Sequence, residues 1–397
     1  MSYSYSMQGE AITLCLDPDF ILVRFRSGHA GCARLRAAQS WFGGTGVAGL
    51  ELPDEDVALI PTPLLQHQPT VSDVRATEET IAELRSSPNV LLAMPVFRTG
   101  HHRSFAIDRV VIGLVDAANR NAVSEGYGLH VTEVRDDKIV CTVGCGQDVF
   151  SVVAAMEGDP LVRFAEPDFV TVGQDFEAPE RLAPYPSDEQ WAAEELAAIM
   201  ATNDRPTAMT DTDVPPFAVR FGPSGLPGGY WKTANATIAR SINWARCAGA
   251  DILINRWGGG PPSNDITEEF ERARTSGRGG LGCVIVVASD SPADTAGFPQ
   301  TLPDTLAAAC DTRVDHGFDP VADSGASLPT VSGACALVLA ANPSLTEAQV
   351  RHLVGRSMRW RGRSRQANGR DPDGGQSRLD IIQAVRSALA MSGRDTA

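Results

Sequence analysis

The sequence predicts an α/β chain in which a domain built on a parallel sheet follows α+β units. Three observations predict it. From Asn235 onward, helical patterns alternate with short apolar strand patterns, the order that lays parallel strands in a sheet with helices on its faces. Residues 107–172 run strand, helix, strand, strand, helix, strand, the order of a split β-α-β sandwich. Residues 334–341 are apolar all round, which predicts a buried helix and not an amphipathic surface one.

Residues 10–105 make the first α+β unit. Ile21, Leu22, Val23 and Phe25 give an apolar, partly alternating strand at 21–26. A helical pattern covers 78–85, and a second apolar strand covers 89–96. Gly100, His101, His102 and Arg103 then mark a polar loop, where the paired histidines lack a third metal ligand. The second unit, 106–173, opens with a strand at 109–115 and a helix at 117–127. Strands at 130–134 and 138–143, a helix at 148–156 and a last strand at 161–172 complete a ferredoxin-like order. Residues 174–190, with their prolines and acidic side chains, read as a linker.

Residues 191–397 hold the parallel-sheet domain. Ile238, Ile242 and Ala245 stand at helical spacing over 235–248, and Gly249 stops that helix. Residues 251–255 form a short buried strand, followed by the turn Trp257, Gly258, Gly259, Gly260, Pro261, Pro262. A helix at 265–274 leads to a second buried strand at 283–288, and 306–310 supplies a third. In such sheets ligands bind at the carboxyl ends of the strands, which is where the Trp257 turn falls. Thr346 and Gln349 fit a capping box opening a helix to Val354. An amphipathic helix near 379–389 closes the sequence.

Charge narrows the partners. With 49 acidic against 34 basic residues the formal charge is −15. An acidic surface disfavours nucleic acid and anionic membranes, because holding phosphate relies on clustered Lys and Arg. The one basic run, 356–365, reads as a solvated loop. The eight cysteines are scattered through apolar stretches, and Cys141 and Cys145 have no second pair to complete a metal site. Buried thiols in a reducing compartment follow, with no metal and no other cofactor expected. The first sixteen residues lack the basic-then-apolar order of a secretory leader, and no apolar run approaches the roughly 20 residues that span a bilayer. The expected location is the cytoplasm.

Gly325, Ala326 and Ser327 stand just before the buried helix, with Pro329 where a first helical turn tolerates proline. A turn placed there aims a hydroxyl and free N–H groups at one point, as a nucleophile and part of an oxyanion hole require. With Asn342, Pro343, Leu345 and Thr346 behind the helix, this stretch resembles the serine motif of the subtilases, the subtilisin-like serine peptidases. The run from Ile238 to Gly260 resembles the subtilase segment ending in Asn-x-Ser-Trp-Gly, with Arg256 in place of Ser. Gly277 to Asp290 resembles the strand that delivers the oxyanion asparagine, with Asp290 at the asparagine position. Ala165, Glu166, Pro167 and Asp168 resemble the end of the family's inhibitory pro-region.

The resemblance implies a shortened subtilisin-like domain behind an intramolecular pro-region-like domain that occupies the cleft with its C-terminal segment. It implies a peptide or protein ligand in a cleft walled by Trp257, Gly258, Gly259 and Gly260. Ser327 and Asp211 are the remnant catalytic positions it picks out, with Asp290 at the oxyanion. The chemistry is incomplete, however. No histidine lies between His130 and His316, so nothing corresponds to the family's base. Two residues are missing between Ser327 and Pro329, which turns the serine relative to the helix by about 200°. A carboxylate at Asp290 repels an oxyanion unless protonated. Loss of a triad base alone costs on the order of a million-fold, about 8 kcal/mol. The expectation is a pseudopeptidase that binds a peptide or protein partner. The alternative is an active serine endopeptidase with a site rebuilt from Ser327, Asp211 and His316, and a third reading is a remnant without a ligand.

Overall fold

The computed structural model describes residues 3–25, 50–52, 57–62, 71–99, 102–144, 147–174, 230–255, 257, 259–289, 298–309, 328–360 and 377–392. It is a mixed helix-and-sheet protein. The chain divides into two compact units, one from Met1–Phe176, Phe221–Ile238 and Gly259–Asp265, the other from Glu177–Arg220, Ala239–Gly258 and Ile266–Ala397. No helix among the described residues is long and apolar enough to cross a membrane.

The first unit opens with a hairpin of β1 (Ser4–Met7) and β2 (Glu10–Thr13). Strands β3 (Leu16–Phe25), β4 (Leu50–Leu52) and β5 (Val57–Pro61) precede helix α1 (Val71–Ser86), and β6 (Val90–Thr99) and β7 (His102–Leu114) follow it. Next come helix α2 (Arg120–Gly126), strands β8 (His130–Arg135) and β9 (Lys138–Thr142), and helix α3 (Val149–Ala155). Strands β10 (Val162–Gln174) and β11 (Tyr230–Ala234) complete the unit, together with the first residues of helices α4 (Asn235–Cys247) and α5 (Asn264–Gly280). Strands β3 to β11 form one antiparallel sheet in the order β4-β5-β3-β6-β7-β10-β11, with β9 and then β8 branching from β7. Strands from 10–105 and from 106–173 therefore lie in a single sheet.

Burial follows the pleat, in which successive side chains face opposite ways. Ile21, Val23 and Phe25 of β3 meet Ile81 and Leu84 of α1, which stand three apart on one helical face. Leu22 joins the other core, where Phe97, Phe105, Phe150 and Phe169 gather with Tyr3 and Tyr5. Their rings meet mostly edge to face, Tyr3 against Phe97 and Phe150 at 5.4 Å each and Phe97 against Phe150 at 5.7 Å. Helix α3 buries Val149, Phe150, Val152 and Val153 there. Its N-cap is Asp148, whose Oδ2 accepts from the Ser151 N–H at 2.9 Å.

The start of β7 differs from the one the sequence predicts. His102 and Arg103 belong to β7 and not to a loop; Gly100 and His101 lie outside the described residues. The reason is tertiary: Arg103 Nε donates to the buried Asp17 carboxylate at 2.8 Å, and its guanidinium lies over the Phe20 ring. Pairing explains the length of β7. Its start pairs with β6, its end with β9, and nearly its whole run with β10.

In the second unit, β12 (Ile252–Asn255), β13 (Val284–Ser289) and β14 (Leu306–Ala309) form a parallel sheet in that order, the α/β arrangement that the alternating pattern predicts. Helix α6 (Leu328–Ala341) buries Val331, Ala334, Cys335 and Val338 against Val284, Val286, Leu306 and Ala308. Helix α7 (Glu347–Ser357) opens on the expected capping box: Gln349 Oε1 accepts from the Thr346 N–H at 2.8 Å, and Thr346 Oγ1 accepts from the Gln349 N–H at 3.3 Å. Strands β15 (Met358–Trp360) and β16 (Ser377–Leu379) pair, and helix α8 (Ile381–Ser392) ends the described chain. Leu379 is thus a strand residue, and the closing helix begins after Asp380, whose Oδ1 accepts from the Gln383 N–H.

Helix α5 is helical to Ser276, past the predicted end, and its backbone leaves the helix at Gly277. Arg278, at φ 51°, sends its guanidinium to Asp251 Oδ1 at 2.9 Å and to the carbonyls of Gly282, Leu345 and Pro343 at 3.2, 3.0 and 2.9 Å. Gly282 closes this turn at φ +84°, where an added Cβ would fall 2.0 Å from the Arg274 carbonyl oxygen. Gly282→Ala is expected to destabilise the second unit by about 3 kcal/mol or more, from a positive φ combined with a backbone clash. Urea denaturation checks it; a change under about 1 kcal/mol would mean the turn relaxes freely.

Candidate functional site

Strand β10 carries the residues around which the site is built. Glu166 and Asp168 flank Pro167 on it, and both side chains are buried. Proline inside a strand fits here because the pairing of β10 with β7 shifts register just after it.

Glu166 receives four hydrogen bonds. Its Oε1 accepts from Ser263 Oγ at 2.6 Å and from the Asp265 N–H at 3.2 Å. Its Oε2 accepts from the Asn264 N–H at 2.7 Å and from Asn264 Nδ2 at 3.0 Å. The carboxylate thereby caps the N-terminus of α5, where unpaired N–H groups and the helix dipole favour negative charge. Burial, with Asp265 adding to it, pushes Glu166 up to about 7, against the pull of Ser263 and the two backbone N–H groups.

Asp168 repeats the device at α4. Its Oδ1 accepts from the Ala236 N–H at 2.9 Å, and Arg109 Nη2 lies 2.7 Å from Oδ2. Burial raises its pKa, while Arg109 and the Ala236 N–H oppose the rise. Ala236 itself packs against Val111, Val140 and Phe164.

Asp265, in the first turn of α5, is held by two cations. Arg135 donates to it at 3.1 and 2.6 Å, and Lys138 Nζ reaches Oδ1 at 2.9 Å and the Asp265 carbonyl at 3.2 Å. Lys138 and Asp265 are both fully buried, and Glu133 lies 3.0 Å from Arg135 Nε. The N-terminal hairpin adds further bonds: Asn264 Nδ2 donates to the Ser6 carbonyl at 3.0 Å, Asn264 Oδ1 accepts from the Gln8 N–H, and the Tyr5 hydroxyl donates to the Pro262 carbonyl.

Of the residues singled out in the sequence, Ser327, Asp211, Asp290, Gly258 and His316 lie outside the described residues. In the first unit, a Cβ on Gly259 (φ +81°) would come 1.8 Å from His102 Cδ2. One on Gly260 would come 2.7 Å from Thr171 Oγ1, which itself hydrogen-bonds Ser104 Oγ at 2.9 Å. In the second unit, Trp257 stacks on Phe270 with ring centroids 6.1 Å apart and lies 6.4 Å from Phe298. Trp257 follows the carboxyl end of the parallel strand β12. Among the described residues no cluster of three or more His, Cys, Asp and Glu side chains is placed to hold a metal ion.

Sequence reasoning singled out Glu166 and Asp168 as parts of a motif but missed Arg135, Lys138, Ser263, Asn264 and Asp265. One signal was available. Lys138 opens an otherwise apolar strand, Ile139, Val140, Cys141, where a lysine needs a partner if the strand is buried.

No family model matches the chain, and no curated protein matches it. A solved structure to which it is similar is fervidolysin from Fervidobacterium pennivorans, described as a keratinolytic enzyme related to subtilisin. The two are 15% identical with a TM-score of 0.43, over 73% of this chain and 62% of that one. The chain thus spans less than two thirds of the length of the protein it resembles, and no residue role carries over at this level.

Proposed function

We propose that the chain is a subtilisin-like peptidase homologue that does not cut peptides and serves as a binding protein for a peptide or protein partner. Residues 106–173 act in it as a ferredoxin-like, pro-region-like domain, joined by a linker at 174–190 to a shortened subtilisin-like domain at 191–397. The observation that carries the reading is the pair Glu166 and Asp168, which cap the first turns of α5 and α4. The same strand continues as Val170–Gln174, antiparallel to β11, as an extended peptide would lie. This is the geometry an inhibitory segment needs: carboxylates on helix N-termini and a backbone ladder leading away from them.

The missing base supports the inactive half of the reading. No histidine occurs from 131 to 315, and Ser327 without a base is an ordinary alcohol. A fluorophosphonate probe is expected to leave the full-length protein unlabelled from pH 6 to pH 9. Labelling that disappears in Ser327→Ala would instead establish an active serine endopeptidase. Binding has its own readout: an extended peptide that binds the native state raises the melting temperature in proportion to ln(1 + [L]/Kd), whereas a ligand-free remnant responds to none.

A further inference from the structure

We propose that the N-terminal hairpin is a pH-sensitive strap, closed over the buried Glu166 carboxyl while that group holds its proton and loosened as it ionises. The proposal goes beyond the peptidase reading and holds whether or not Ser327 reacts. All the residues it uses belong to the first unit.

The hairpin depends on its anchors. Among the described residues, β1 and β2 pair with each other and with no strand of the large sheet. A two-stranded hairpin is marginally stable at best in water, so this one stays closed through what it touches. Its ring anchors are Tyr3, against Phe97 and Phe150, and Tyr5, against Phe169. Its polar anchors converge on Pro262 and Asn264. The Tyr5 hydroxyl donates to the Pro262 carbonyl, the Gln8 N–H donates to Asn264 Oδ1 at 3.1 Å, and the Ser6 carbonyl accepts from Asn264 Nδ2 at 3.0 Å.

Asn264 is the link to the carboxyl. The Gln8 N–H only donates and the Ser6 carbonyl only accepts, which sets Oδ1 toward the first and Nδ2 toward the second. Nδ2 also donates to Glu166 Oε2 at 3.0 Å. One side chain thus joins the hairpin backbone to Glu166. Tyr5 stands close enough for the Glu166 charge to add to the rise that burial gives its hydroxyl. With the strap closed, Glu166 is 1% exposed. Lifting the hairpin unmakes the Ser6 and Gln8 bonds and withdraws the Tyr5 ring, which lets water reach Asn264 and the carboxyl behind it.

Proton linkage sets the direction. In the closed strap burial holds Glu166 up to about 7, and hydration returns it toward its ordinary 4.5 when the strap opens. The strap is therefore tightest below about pH 4.5 and loosens as pH rises to about 7. Among the neighbouring charges, Asp265 acts on Glu166 directly and is itself paired with Arg135 of β8 and Lys138 of β9, with Glu133 beside Arg135. Asp168, two positions along β10, is turned to Arg109 of β7 and the Ala236 N–H. Tyr5, being raised, keeps its proton throughout this range.

Hydrogen exchange by mass spectrometry on the full-length chain tests the strap, with each rate divided by the intrinsic chemical rate at its pH. Peptides covering 4–13 are expected to exchange at least about tenfold faster than 109–114 of β7 at pH 8, because the hairpin opens without the sheet. Their protection is expected to fall at least about tenfold between pH 5 and pH 8, with most of the fall below about pH 7. Hairpin exchange at the rate of β7 would mean that it opens only with the whole sheet, and would overturn the proposal. Hairpin protection that stays within about twofold over that pH range would overturn it as well. In Glu166→Gln the fall is expected to vanish; a fall that persists assigns the titration to another group and sinks the proposal. Should that variant not fold, the wild-type pH series decides alone.

Discussion

Lys138→Met is expected to lower the stability of the first unit by about 3–5 kcal/mol, among the largest effects of any single charged-residue change in it. The substitution removes one of the two cations on a carboxylate that has no access to water, and a broken buried pair leaves its partner uncompensated. Methionine is unbranched and close in volume, so packing contributes little to the loss. Arg135 stays on Asp265 and sets the lower end of the range. Urea unfolding followed by tryptophan fluorescence gives the number. A loss under about 1 kcal/mol would mean that Arg135 alone satisfies the carboxylate. The double change Lys138→Met with Asp265→Leu should lose less than Lys138→Met alone if the stranded charge is the cause.

Glu166→Gln carries the second large effect, and its sign depends on pH. Four donors converge on this carboxylate, and an amide can offer them only one oxygen, turning its NH2 toward donors. A loss of about 2–4 kcal/mol follows from the unmade bonds. Titration adds to it. The folded state holds the Glu166 proton up to about 7, whereas the unfolded chain releases it near 4.5. Stability from this group is therefore fully present below about pH 4.5 and is lost as pH rises to about 7. Asp168, also raised, acts in the same direction. Wild type should exceed Glu166→Gln by about 2–3 kcal/mol more at pH 5 than at pH 8, at about 1.4 kcal/mol for each tenfold shift. Equal differences at the two pH values, or a reversal, would show that the four donors outweigh burial.

The elements that the sequence made legible are those whose burial is periodic within a short stretch. The alternating strands and helices from Asn235, the all-apolar stretch 334–341 of α6 and the β-α-β-β-α-β run each show their environment in neighbouring residues. The length of β7 was hidden because its first residues are polar and find partners in Asp17 and Phe20, over 80 positions earlier. The Lys138–Asp265 pair was hidden for a related reason. Lys138 and Asp265 are 127 positions apart, so the apolar strand around Lys138 signals a partner without saying which residue it is. The Glu-Pro-Asp stretch was visible as a motif, but no local pattern says which helices its carboxylates would cap. Ser327 and Asp211, the positions that the resemblance picks out, fall outside the described residues.

The late arrival of β11 bears on how this protein is made. Strand β10 is complete at Gln174, yet the strand that covers its outer edge begins only at Tyr230. A ribosome adding about 5–20 residues per second needs roughly 3–11 seconds to cross that gap. For that interval Val170 and Val172 present bare backbone to any neighbouring nascent chain, and an uncovered edge is a template for mispairing. Slowed translation between the two strands, or crowded polysomes, should therefore lower the soluble yield of this chain more than slowing elsewhere.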